Sequence, residues 1–184
     1  MWEIIILAIA ILSIIVLWFI TGYNRFIVLK NSVDKMWSNI NVLLKQRFDE
    51  LPNLVETAKG YMKYEKEVFS EITKARTAFS GAQTIDEKAK ASSMLNKAMM
   101  GFYAVAENYP KLKADKSFKH LQERISAIET DISNKRSAYN DGVNIFNIKL
   151  SQFPSMIIAG FMKLKRKDLF QATESEKQNV KIQF

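Results

Sequence analysis

The chain opens on an unbroken apolar run and then settles into amphipathic repeats. From Ile4 to Ile20, seventeen residues, only Ser13 is not apolar. As a helix the run rises roughly 26 Å at about 1.5 Å per residue, the short end of a bilayer span. Trp2 and Trp18 stand near its ends and Tyr23 just beyond, where amphipathic rings favour the interface. A buried core helix is the alternative, but the run has no polar face at any period. From Phe26 the steps become three and four: Phe26, Leu29, Val33, Met36, Trp37, Ile40, Leu44, Phe48 and Leu51 keep one helix face apolar. Pro52 is best placed in the first turn of a new helix, where its missing N–H costs nothing. A reversal is therefore expected there, followed by a second stripe through Val55, Ala58, Tyr61, Met62, Glu65, Val68, Phe69, Ile72, Ala75 and Phe79. Ser80 to Thr84 break the period, and Thr84 or Asp86 can cap a third helix carrying Met94, Leu95, Ala98, Phe102, Val105 and Tyr109.

The fourth stripe is the longest. Phe118, Ile125, Ile132, Tyr139, Phe146 and Phe153 recur every seven residues, with Leu121 and Ile128 between them. Val143 and Leu150 fall one residue out of that register, with Lys135 and Arg136 in the gap. Such a skip changes supercoiling locally and marks the middle of the bundle as polar. None of these helices can bury its stripe alone, so they must pack on one another. Strand-like alternation is confined to Val180–Phe184. The expected fold is all-α: an N-terminal transmembrane helix followed by an elongated, antiparallel, coiled-coil-like four-helix bundle. The expected division is an anchor over 1–23, a bundle over 24–153 and an amphipathic basic tail over 154–184. Trp37 and Tyr139, on their stripes, are expected in the core.

Composition narrows the chemistry. The chain has no cysteine, which excludes disulfides, thiolate metal sites and cysteine nucleophiles, and its one histidine removes most remaining metalloenzyme chemistry. His120 is followed by Glu123, but a di-iron bundle needs Glu three residues before His, and Ser117 stands there; a surface or capping role suits it better. No phosphate loop, H-E-x-x-H motif or nucleophile elbow is present. Neither a metal, a cofactor nor an enzymatic activity is expected. Glu56, Glu65, Glu67 and Glu71 alternate with Lys59, Lys63, Lys66 and Lys74, the composition of a solvated helix face. Asparagines at 24, 31, 39, 53, 108, 140, 144 and 147 lie on or beside the stripes; they either form a recognition surface or, the favoured reading, fix register inside the bundle.

The net charge is +8, yet outside Glu3 the 27 basic and 18 acidic residues are mixed along every helix, so no nucleic-acid partner is expected. Attraction to anionic lipid accounts for the excess more simply. No Lys or Arg precedes the span, while Arg25, Lys30 and Lys35 follow it. The positive-inside rule then places the N-terminus outside and the C-terminal domain in the cytoplasm. The N-terminus, with Glu3 and no small-residue cleavage site, reads as an uncleaved anchor and not a signal peptide. In the tail, Ile157, Phe161 and Leu164 fall at i, i+4 and i+7 beside Lys163, Lys165, Arg166 and Lys167. This is the pattern of an interfacial helix, and these four basic residues are the candidate lipid contacts. Packing of the tail on the bundle is the alternative, and the membrane placement assumes that Pro52 is a reversal.

Leu29 to Tyr61 (LKNSVDKMWSNINVLLKQRFDELPNLVETAKGY), Ala104 to Gln122 (AVAENYPKLKADKSFKHLQ), Tyr139 to Asn147 (YNDGVNIFN) and the pair Phe153–Pro154 together resemble the bacterial LemA family. The resemblance implies a single-pass inner-membrane protein with a mostly antiparallel helical bundle and no accepted catalytic residues. One branch of that family takes part in forming magnetosome membranes, and others are encoded near membrane metalloproteases. Gly142 departs from the pattern, where alanine is more usual, and admits closer packing. Two functions follow as expectations: a non-enzymatic membrane-anchored scaffold or adaptor for membrane or envelope proteins, such as a membrane protease or a membrane-shaping assembly, or a protein that organises anionic lipid directly. Self-association of the bundle is open, and no partner-binding residue is identified.

Overall fold

A computed structural model describes residues 1–170. The elements are α1 (Trp2–Lys59), α2 (Lys66–Gly81), α3 (Ile85–Ala106), α4 (Pro110–Ala114), α5 (Lys116–Ser151) and α6 (Ser155–Phe161), and no strand occurs among the described residues. The expected alternation at Val180–Phe184 lies outside them. The chain divides into two compact units, Met1–Ser38 with Ser137–Leu169 and Asn39–Arg136 with the segment from Phe170. Both α1 and α5 contribute to each unit.

Pro52 does not begin a helix; it lies inside α1. A proline there removes one backbone bond and crowds the preceding turn, a cost of about 3 kcal/mol for an interior position. The apolar stripe carries the helix through, because Phe48, Leu51, Leu54 and Ala58 on either side are all buried while Pro52 faces solvent. The reversal comes at 60–65, so the expected second stripe is split: Val55 and Ala58 belong to α1, Val68 to Phe79 to α2. The return of α5 does not depend on Pro52. In the first unit Phe26 meets Phe146 and Trp37 meets Tyr139; in the second Arg47 meets Glu129 and Glu50 meets Arg124. Each ascending step on α1 pairs with a descending step on α5, the signature of antiparallel packing.

The second unit is a four-helix arrangement. Phe69 of α2 and Phe118 of α5 both pack near Phe102 of α3, and Phe48 of α1 stacks on Phe79 of α2 with centroids 4.2 Å apart. Leu51, Leu54, Ile72, Leu95 and Ile125 fill the space between them. Removing each such aliphatic side chain from water contributes roughly 1.5–3 kcal/mol. Thr84 caps α3 in a capping box: its hydroxyl accepts from Glu87 N–H while the Glu87 carboxylate accepts from Thr84 N–H. Asp115 caps α5 by accepting from Phe118 N–H. In the long stripe Phe118, Ile125, Ile132, Tyr139 and Phe146 are buried, but Phe153 lies past the helix end and is exposed.

Candidate functional site

In the first unit the apolar run of α1 is bare up to Leu17; none of its most apolar window is buried. Trp18 and Phe19 are partly covered, and the cover is α6. Phe161 meets Phe19 edge-on with centroids 5.3 Å apart. Ile158 lies against Gly22, its Cδ1 in the space that a β-carbon on that glycine would take. Gly22 is thus the place where α6 approaches α1 closely, which explains a residue that weakens a helix interior. Trp18, Thr21, Arg25, Lys149, Pro154 and Ser155 line a small cleft beside this contact. Gly142 plays the same part higher on α5, with Met36 Sδ 2.9 Å from its β-carbon position.

The interfacial helix expected over Ile157, Phe161 and Leu164 ends early. α6 stops at Phe161, and Lys163 adopts a left-handed backbone with φ 51°. Lys163 N–H bonds Gly160 C=O at 3.0 Å and Leu164 N–H bonds Ala159 C=O at 3.1 Å, the Schellman pattern that terminates a helix and turns the chain. Leu164 and the basic residues therefore lie on the returning segment. That segment is held by the first and last residues of the Tyr139–Asn147 stretch. The Asn147 amide donates to Lys167 C=O and accepts from Lys167 N–H, both at 2.9 Å, and Tyr139 O–H donates to Asp168 C=O at 2.9 Å. Of the four candidate lipid contacts, Lys163, Lys165 and Arg166 are exposed. Lys167 pairs with Asp34 and lies over the Phe146 ring.

The asparagines divide differently from expectation. Six of the eight are exposed and Asn140 is half-buried; only Asn147 is buried, and it fixes the returning chain, not the register of two helices. Register in the second unit is set by charges the pattern passed over. Arg47, with its side chain 2% exposed, donates from Nη2 to Glu129 Oε1 at 3.1 Å, and Arg124 donates to the largely buried Glu50 at 2.8 Å. The opposite signs alternate between α1 and α5, so a slip would bring like charges together. Arg47 was findable, since the steps Ile40, Leu44, Arg47, Leu51, Leu54 and Ala58 run through it. Burial pushes the Tyr103 phenol up to about 12, with the Glu129 charge adding to the effect.

At the turns of the second unit, two of the stretches that carry the family pattern meet. Tyr61 O–H donates to Asp115 Oδ2 at 3.0 Å, and Tyr109 O–H to Glu65 Oε1 at 2.9 Å. Each bond raises the phenol's pKa; Asp115 is held below the usual carboxylate range, first by Phe118 N–H and then by Tyr61. Tyr61, Asn108, Tyr109, Pro110 and Lys111 line a shallow groove there, and Tyr64 stands 91% exposed. His120 is exposed on α5, and among the described residues no group of three or more His, Asp or Glu is placed to hold a metal ion.

These features define an α-helical protein with one apolar N-terminal helix suited to a single-pass membrane anchor and with its internal charges committed to helix pairing. The LemA family model matches residues 36–184, and the chain belongs to that family. It is 28% identical over 156 residues to protein LemA of Metamycoplasma hominis, covering 82% of this chain and 69% of the relative. It is 23% identical over 175 residues to magnetosome protein MamQ 2 of Paramagnetospirillum magneticum, covering 81% of this chain but only 64% of the relative. With magnetosome protein MamQ of Magnetospirillum gryphiswaldense it shares 23% identity over 194 residues, 89% of this chain and 71% of the relative.

Proposed function

We propose that this protein is a non-enzymatic, membrane-anchored adaptor that presents the turns of its second unit to a protein partner. The observation that carries the reading is the cluster of exposed tyrosine and lysine at those turns. Tyr64 is bare, Tyr61 and Tyr109 flank a groove, and Lys59, Lys63, Lys66, Lys111, Lys113 and Lys116 are all exposed around them. Glu65 and Asp115, two of the few acids nearby, are occupied by the phenol hydroxyls. Tyrosine is a residue type that anchors interfaces, and the excess of exposed lysine over acid at these turns favours an acidic segment. The partner is a membrane or envelope protein, in keeping with the name magnetosome protein borne by the MamQ relatives. The anchor sits in the bacterial plasma membrane, with the N-terminus outside and the bundle in the cytoplasm.

Affinity capture of the full chain from mild detergent, read by quantitative mass spectrometry, tests this. A defined protein should be retained by the wild type and lost from both Tyr64→Ala and Lys111→Glu, neither of which touches the core. An identical set of proteins on all three would refute the adaptor surface.

A further inference from the structure

Among the described residues, nothing covers a large apolar surface on α6. Met156, Ile157 and Phe161, with Phe153 just before the helix, are 51–74% exposed, while Ile158 and Ala159 on the other side are buried. Isolated exposed apolar residues are ordinary, but four large ones within nine residues mark a contact surface. Its partners along α1 show where it lies. Ser155 lines the cleft with Arg25, Ile158 meets Gly22, and Phe161 meets Phe19. The helix therefore descends along α1 towards the apolar run, and its last residue touches a side chain inside that run. At Lys163 the left-handed turn reverses the chain, and Asn147 and Tyr139 draw 167–168 back.

We propose that α6 and the Lys163 turn form a second membrane-seated element, a short helical hairpin whose outer face lies in the bilayer beside the anchor. The occupant of this surface is lipid, because the surface is continuous with a helix whose own run is bare and apolar; water at Phe161 would have to reach Phe19 as well. Arg25, Lys163, Lys165 and Arg166, exposed around the hairpin, then stand where anionic headgroups would meet them. The inference rests on reading residues 4–20 as the membrane span and is independent of the adaptor surface.

The chain has no cysteine, so single-cysteine labelling tests the hairpin in the full-length protein. Leu12→Cys, Lys35→Cys, Ile157→Cys and Phe161→Cys variants, each carrying an environment-sensitive fluorophore, are reconstituted into protein-free vesicles of zwitterionic and anionic phospholipid containing acyl-chain nitroxide quenchers. All four side chains are exposed or half-exposed, and circular dichroism confirms that helix content is kept. Labels at 12, 157 and 161 should be quenched and blue-shifted, and the label at 35 neither. Quenching at 12 with 157 and 161 behaving like 35 overturns the hairpin while leaving the anchor intact. No quenching at 12 overturns the anchor, and the hairpin with it.

Discussion

Glu129→Ala and Arg47→Met should have unequal consequences although they remove the two halves of one ion pair. The Arg47 side chain is 2% exposed and its Glu129 partner 50%. Removing Glu129 takes a charge-assisted bond from a buried guanidinium, and bonds to charged groups contribute about 1.5–3 kcal/mol. The half-exposed carboxylate is partly screened, so about 2 kcal/mol is the expected loss. Replacing Arg47 by Met instead removes the buried charge, keeps most of its volume and leaves Glu129 free to hydrate. Apolar replacement of buried ionic groups is often neutral or stabilising by 1–4 kcal/mol, so Arg47→Met should cost less than about 1 kcal/mol. The assay is thermal unfolding of the full chain in detergent micelles followed by far-UV circular dichroism. At about 2–4 °C per kcal/mol for a chain of this size, Glu129→Ala should lower Tm by roughly 4–8 °C and Arg47→Met by about 4 °C at most. An Arg47→Met loss equal to or larger than that of Glu129→Ala would instead make the pair a net source of stability.

Asn147→Leu keeps the branching and heavy-atom count of the side chain but deletes both bonds to Lys167; at about 1 kcal/mol each, residues 163–169 should open by roughly 2 kcal/mol, seen as faster tryptic cleavage after Lys165 and Arg166 with little change in Tm. Lys163→Gly should stabilise by up to about 1 kcal/mol, because glycine takes a left-handed helix terminus without steric cost; a loss on denaturant titration would contradict the turn. Burial holds the Tyr103 and Tyr139 phenols up to about 12, against about 10 when unfolded. The unfolded chain then releases those protons first, so stability is intact below pH 10 and falls as pH rises from 10 towards 12. Melting against pH, with phenolate absorbance as the second readout, checks the window. A C-terminal reporter active only in the cytoplasm should be active, since Arg25, Lys30 and Lys35 all follow the apolar run; activity of an export-dependent reporter instead would reverse the orientation.

Helix periodicity was legible wherever one face is buried. The heptad from Phe118 to Phe146 and the α1 stripe from Phe26 to Leu51 carry the core much as their spacing implies, and Thr84 caps α3 as its residue type does. Pro52 misled because proline is permitted in a first turn and merely costly within a helix; burial of Leu51, Leu54 and Ala58 outweighs that cost, which no local rule registers. Trp37 lies on its stripe but is only half-buried against Tyr139, so its truncation should cost less than the 3–5 kcal/mol of a fully buried aromatic. The Lys163 turn was hidden for the reverse reason, since a lysine at a left-handed position carries no signal that glycine or asparagine would give. Asn147 and Arg47 were visible only as polar residues on apolar stripes, and their partners, Lys167 and Glu129, are 20 and 82 residues away.

Photocrosslinking in living cells asks directly whether the Tyr61–Tyr64–Tyr109 turns hold a protein partner. A benzophenone amino acid is placed at Tyr64, and at the exposed Ser133 on α5 as the control. A discrete protein adduct, identified by mass spectrometry, is expected from position 64 and not from position 133. No adduct from 64, or the same diffuse ladder from both positions, would contradict it.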